Sequence, residues 1–166
     1  MYDLGAEIEI RLKKFQKTSV ASIFYVPTPS EIQLHYPADE ILDLAFLLAS
    51  YSDSRLSSKE DTLEVQLIPF PEYVRVLIAD TGEGLLPNSE LFDFFPRGEF
   101  GLMNPPVILD PALAEASALA KKFECKIWVQ SKFKMGTVFH VDVPYVLESR
   151  KFTPIPKKDP KLKGFG

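Results

Sequence analysis

The chain is poor in the residues that mark several protein classes. It has a single cysteine, Cys125, so no internal disulfide framework can hold it together. No apolar run approaches the ~18–20 residues needed to span a bilayer. The opening stretch, MYDLGAEIEI, is acidic and lacks the basic-then-apolar layout of a signal peptide. A reducing cytoplasm is the expected compartment. There is no internal repeat, and low complexity is confined to the C-terminal end. Basic side chains are outnumbered, 19 Lys+Arg against 23 Asp+Glu, which argues against a nucleic-acid-binding core. What is present, 46% hydrophobic and 25% charged in 166 residues, suits one globular domain with a core that needs no metal staple.

The net charge of −4 hides an asymmetry. Residues 1–144 carry 13 basic and 21 acidic side chains, whereas residues 145–166 carry 6 basic and 2 acidic. A mildly acidic body thus ends in a basic, proline-containing tail. The tail is read as a solvated, flexible terminus, with contact to something acidic as the alternative.

Periodicity gives a coarse element order. Leu4, Ile8, Leu12 and Phe15 have helical spacing over residues 4–18, although Ile8, Ile10 and Leu12 also leave a strand open. SIFYV and EIQLHY read as short strands around the turn PTPS. PADEILDLAFLLASYS reads as a helix with Pro37 near its first turn. TLEVQLIPF and EYVRVLIAD form a hairpin pair, and NSELFDFF a short helix. DPALAEASALAKKF is a helix with Asp110 at its cap and Pro111 at its first position. CKIWVQS and TVFHVDVP close the chain as two strands around KFKMG. Hairpins dominate, so the expected class is α+β: a two-layer α/β sandwich with helices on one face of a mixed, mostly antiparallel sheet.

One loop carries chemistry. Asp80-Thr81-Gly82-Glu83-Gly84-Leu85 follows a strand. A carboxylate at a strand end can accept from an exocyclic amine, and glycines after it let the backbone approach a flat ligand. Taken alone, Asp-Thr-Gly is also an ordinary turn. It is followed in register by Leu91 to Gly98, LFDFFPRG, then a long helix, then KIWVQS and Gly136-Thr137-Val138-Phe139. In this order the chain resembles the ATP-binding domain of sensor histidine kinases, the Bergerat fold shared with Hsp90, DNA gyrase and MutL. The resemblance covers roughly residues 35–144. It implies that Asp80, Gly82 and Gly84 belong to the first glycine box, Phe92 to Arg97 to the phenylalanine box, and Gly136 and Thr137 to the last box. It implies nucleotide binding by Asp80, Gly82, Gly84 and Thr137, under a lid containing Phe92, Phe95, Arg97, Gly98 and Gly101, which Pro105 and Pro106 stiffen in its second half.

Two further boxes of that family are broken. The Mg²⁺-chelating Asn should fall at Leu47, on a helix face otherwise lined by Glu40, Asp43, Ser50 and Ser54. Leucine has no lone pair for a metal that demands oxygen. Asp43, one turn earlier, falls where Hsp90-like members place a general-base carboxylate. It is the one weak catalytic candidate, against the plainer reading of a solvent-face acid. The second glycine box falls on Asp110-Pro111-Ala112-Leu113, where bare helix amides should receive phosphates. Asp110 can cap those amides itself, and Pro111 removes one. A slipped alignment would put a displaced phosphate loop at Gly101-Leu102.

Other candidates carry less. His35 and His140, the only histidines, read as surface strand residues, so no acceptor histidine is in sight and autophosphorylation in cis is not expected. Cys125 has no partner for metal or nucleophilic chemistry. Phe92, Phe94, Phe95 and Phe100 read as core and lid packing. The expected organisation is residues 1–34 as part of the domain or as an interaction segment, residues 35–147 as the histidine kinase-like domain, and residues 148–166 as tail. The resemblance implies a degenerate regulatory or interaction module of two-component-type signalling, with weak or no ATP turnover. The alternatives are a functional ATP-binding domain acting as a kinase in trans, and a scaffold keeping only the fold. ATP or ADP binding is expected to be weak and without Mg²⁺. The expected partner is a signalling protein or response regulator, with pairing to a second copy as a further option and no membrane span. Whether the chain is an enzyme stays open at this point.

Overall fold

The computed structural model describes residues 1–28, 31–86, 89, 91–99 and 110–151, with the backbone alone of Asp93, Phe94, Arg150 and Lys151. Chain order is β1 (Tyr2–Asp3), α1 (Leu4–Gln16), β2 (Ser22–Val26), β3 (Gln33–Leu34), α2 (Asp39–Asp53), β4 (Thr62–Pro69), β5 (Tyr73–Asp80), α3 (Leu91–Phe94), α4 (Pro111–Lys122), β6 (Lys126–Ser131), β7 (Thr137–Pro144) and α5 (Glu148–Lys151). The main sheet has five strands in the order β2-β4-β5-β7-β6. β2 runs parallel to β4, and the remaining pairs are antiparallel.

The alternation of β4, β5 and β7 decides the layers. Leu63, Val65 and Leu67, Val74, Val76 and Ile78, and Phe139, Val141 and Val143 all point to one face and are buried there. α1 and α2 join them in one core through Leu4, Ile8 and Leu12, and through Ile41, Leu44 and Leu48; α4 adds Leu113 and Ala116. Burying each such leucine or isoleucine contributes about 1.5–3 kcal/mol. The helical option for residues 4–18 therefore holds. Asp3 fixes its start by accepting from the Ala6 amide at 3.0 Å.

Two local expectations needed correction. SIFYV and EIQLHY do not pair with each other. Pro27 and Pro29 cannot donate to a ladder; β2 joins the main sheet, and only Gln33–Leu34 of the second segment is strand, paired with Tyr2–Asp3. His140 is not a surface residue. It is 7% exposed and stacks on its cross-strand partner Trp128, with ring centroids 3.6 Å apart. Its Nε2 meets Gln130 Oε1 at 2.9 Å, and burial together with the Arg75 charge brings its pKa down to about 4. The outer face of β5, β7 and β6 is thus partly covered. Arg75 lies over the Trp128 ring at 5.0 Å, bonds Asp142 at 2.7 Å, and reaches Glu99 at 2.9 Å. His35, just after β3, is exposed.

Both sheet edges are tied to other parts of the chain. At β2, the Gln16 amide donates to Ala21 O at 3.0 Å and accepts from Ile23 N at 2.8 Å. At β6, Val129 donates to Pro96 O at 3.0 Å and accepts from Gly98 N at 2.9 Å. At the C-terminal end, residues 148–151 form α5, and the expected flexible tail beyond them lies outside the described residues.

Candidate functional site

β5 delivers Asp80 to the end of the sheet, where the residue is 9% exposed. The Gly82 amide donates to Oδ1 at 2.9 Å. The Thr137 amide and the Arg55 charge also favour the ionised carboxylate, yet burial outweighs them and raises its pKa above the ordinary value. Ser52 is buried on α2 close beside this carboxylate, without completing a hydrogen bond of normal geometry. Ser52, Arg55 and Ser131 are site residues that the sequence reading missed. Ser52 had a signal: it sits on the buried stripe of α2 one turn after Leu48.

The loop after Asp80 is bound on both sides. Arg55 Nη2 donates to Gly84 O at 2.9 Å, and the Leu85 amide donates to Ser131 Oγ at 2.7 Å. Ser131 Oγ in turn donates to Gly136 O at 3.0 Å and lies 2.9 Å from Thr137 Oγ1. The Lys134 amide donates to Glu83 O. The glycines have a packing reason as well as conformational freedom. Gly84 has φ +76°, and a Cβ there would sit 2.1 Å from Lys132 O. Gly136 has φ +85°, and a Cβ there would sit 2.1 Å from Asp80 O. Beside the loop lies an open polar cleft of about 540 Å³, flanked by Arg55, Thr81, Gly82, Glu83 and Lys134.

Beneath the site the aromatic rings form a floor. Tyr51 and Phe95 both meet Phe139 edge to face, at 6.1 and 6.3 Å. Phe92 is half-buried under the Arg97 guanidinium, 3.7 Å above its ring. At α4, the Asp110 carboxylate accepts from the Ala112 and Leu113 amides at 2.9 and 3.2 Å. On α2, Asp43 pairs with Arg11 of α1, and Leu47 packs half-buried against the core. Cys125 keeps its thiol protonated at neutral pH, because burial pushes its pKa up to about 12.

No protein-family model matches the sequence, and no curated protein matches it significantly. Solved structures do match in three dimensions. The catalytic domain of histidine kinase ThkA superposes with a TM-score of 0.67 at 12% identity, over 89% of this chain and 97% of that one. The mycobacterial sensor histidine kinase MprB gives 0.61 at 14% identity, over 86% and 95%. The Acinetobacter baumannii histidine kinase AdeS gives 0.60 at 17% identity, over 87% and 66%.

The fold is that of a histidine kinase catalytic domain.

On the histidine kinase fold, the residues assigned to the first and last boxes come together: Asp80 is bonded by the Gly82 and Thr137 amides, Thr137 meets Ser131, and Gly84 is held beside them by Arg55. Of the lid residues, Phe92 and Phe95 pack on the domain, and Arg97 and Gly98 lie along the β6 edge. Gly101, the rest of the proposed lid and the alternative Gly101-Leu102 loop fall outside the described residues. Asp43 faces α1 through Arg11, away from this group. Among the described residues no helix is long and apolar enough to cross a membrane.

Proposed function

We propose that this chain is a histidine kinase-like ATPase-domain protein of two-component-type signalling that keeps the base side of the nucleotide site and has given up its metal and phosphate side. It acts on a protein partner, a signalling protein or response regulator, as a regulatory or interaction module with weak or no ATP turnover. The observation that carries the reading is the Asp110 carboxylate on the first amides of α4. Those amides and the positive end of the helix dipole are where an α4 in this fold would take phosphate. A carboxylate there competes for the donors and repels the anion. The residues on α2 do not fit Mg²⁺ either, since Leu47 offers no ligand and Asp43 is already paired with Arg11. The second reading, a nucleotide-binding domain phosphorylating a partner in trans, is favoured by the retained Asp80 loop.

Calorimetric titration with a non-hydrolysable ATP analogue, with and without Mg²⁺, separates the two. Weak or absent binding without Mg²⁺ dependence is expected. Micromolar binding strengthened by Mg²⁺ would establish the second reading instead. Where any nucleotide binds, Asp80→Asn is expected to weaken it by about 1–3 kcal/mol, the cost of losing a charged hydrogen-bond partner. Unchanged affinity would remove Asp80 from the base-reading role.

Asp110→Ala tests the occupied helix end directly. Loss of the cap is expected to cost about 1 kcal/mol. Phosphate or ATP should recover part of the lost melting temperature in the variant and leave the parent unchanged. A variant as indifferent to phosphate as the parent would show that the amides were never the obstacle.

A further inference from the structure

Between α3 and Glu99 the chain changes sides of the sheet. Phe95 lies on the inner face, edge to face with Phe139. Pro96 and Gly98 run along the β6 edge, bonded to Val129, and Gly98 turns there with φ +74°. Glu99 is on the outer face. Its carboxylate accepts from Arg75 Nη2 at 2.9 Å, and its carbonyl accepts from Lys126 Nζ. Arg75 is on β5, two strands in from that edge, so the Glu99 and Arg75 side chains meet over the Trp128–His140 stack. Both of these rings are buried, and each has a polar atom without a partner among the described residues, Trp128 Nε1 and His140 Nδ1. Gln130 Oε1 accepts from His140 Nε2, so the ring proton is there and Nδ1 is a bare acceptor. Each atom has given up water and gained no hydrogen bond, a standing penalty on the covered state that uncovering removes.

We propose that Pro96–Glu99 is a strap poised to open, and that proton uptake at His140 Nδ1 opens it. An imidazolium formed under the strap is a buried charge with one hydrogen bond, and it becomes stable only when the stack meets water. Burial pushes the covered ring down to about 4, against an ordinary value of about 6.5. The Arg75 charge on β5 adds to that effect, while Asp142 of β7 and Glu99 of the strap oppose it; β6 faces the ring with the uncharged Trp128 and Gln130. The open state therefore binds more protons than the covered one, and falling pH favours it. With the ordinary value restored on opening, the open fraction rises about twentyfold from pH 7 to pH 5. Release uncovers the outer face and frees the chain that leaves α3 at Phe95. The strap is independent of the nucleotide reading, and its failure would leave that reading untouched.

Two readouts test it in the full chain. Hydrogen exchange at the Gly98 and Val129 amides, which close the strap, gives the open fraction. Trp128, the sole tryptophan, lies under the strap, so quenching of its fluorescence by acrylamide reads the same opening from another side. From pH 7 to pH 5 protection of the two amides is expected to fall about twentyfold and quenching to rise with it, while the amides of β5 and β7 keep their protection. Glu99→Ala, a change on the strap that leaves the core intact, should raise the open fraction about fivefold already at pH 7, the worth of a partly exposed ion pair. His140→Phe keeps a ring against Trp128 without a titrating group, and should flatten the pH response. Protection at Gly98 and Val129 that is unchanged both by pH and by Glu99→Ala would overturn the proposal. So would a loss shared equally by β5 and β7, which is global unfolding, or a pH response that survives in His140→Phe.

Discussion

Gly136→Ala is expected to destabilise the protein by about 2–5 kcal/mol, the sum of a left-handed backbone cost and a forced clash. The residue has φ +85°, and the new methyl would sit 2.1 Å from the Asp80 carbonyl oxygen. The methyl is fixed by its own backbone and the oxygen is main chain, so no rotamer change relieves the contact. The β6–β7 turn must move away from the end of β5, and the bonds through Ser131 and Lys134 move with it. At roughly 2–4 °C per kcal/mol for a chain of this size, the melting temperature should drop by about 10 °C. Gly98→Ala is the internal control. Gly98 also has positive φ, at +74°, but none of the described residues lies within 4 Å of its would-be Cβ. It should lose only the conformational part, about 1–2 kcal/mol. Equal melting temperatures for the two variants would mean that the close approach to Asp80 carries no energy.

Breaking the ion cluster on the outer face should have an effect of similar size. Arg75 and Asp142 side chains are each only 12% exposed, and Arg75 also lies over the Phe70, Tyr73 and Trp128 rings. Arg75→Met leaves Asp142 desolvated without its partner, and Asp142→Leu leaves Arg75 with Glu99 alone. Each is expected to cost about 2–4 kcal/mol, because the surviving charge loses its main compensation in a site poor in water. The double variant should recover much of the loss, since apolar replacement of both members of a buried pair is often near neutral. Denaturant melts of the four proteins give the coupling energy, expected to exceed about 1 kcal/mol. Strictly additive losses would reduce the pair to a solvated contact, and the stacked Trp128–His140 rings beside it would need another reason for their burial.

Much of this architecture was legible in the chain because its signals are local. Asp110-Pro111 reads as a helix start, and the helix starts there with both predicted roles filled. The four-residue spacing of Leu4, Ile8 and Leu12 and the alternation of β4 and β5 specify which side of each element is buried. What was not legible depends on partners far apart in sequence. β1 and β3 are two residues each, too short for any period, and exist only through each other. The parallel direction of β2 leaves no trace in SIFYV. His140 alternates like a surface residue, and only the presence of Trp128, Arg75 and Glu99 over it makes it a core one. At the site, Asp80 and its glycines were visible as a motif, whereas Arg55 reaching Gly84 from the turn after α2 was not. Gly84 illustrates a limit of motif reading. The pattern suggests close approach to a flat ligand, while the nearest neighbour of this glycine is the backbone of Lys132.

The two tied edges of the sheet restrict how this molecule can meet others. A foreign strand seeking to extend the sheet at β2 would find Tyr25 alone between the Gln16 amide and Pro27, which has no N–H to give. At β6 it would find the edge of Val129 already taken by Pro96 and Gly98. Growth into fibrils by strand addition, and recruitment of a peptide as an extra strand, are both blocked at these points. At these points association is turned instead toward helix faces, loops or the charged outer surface, where contacts are made by side chains and can be tuned one residue at a time.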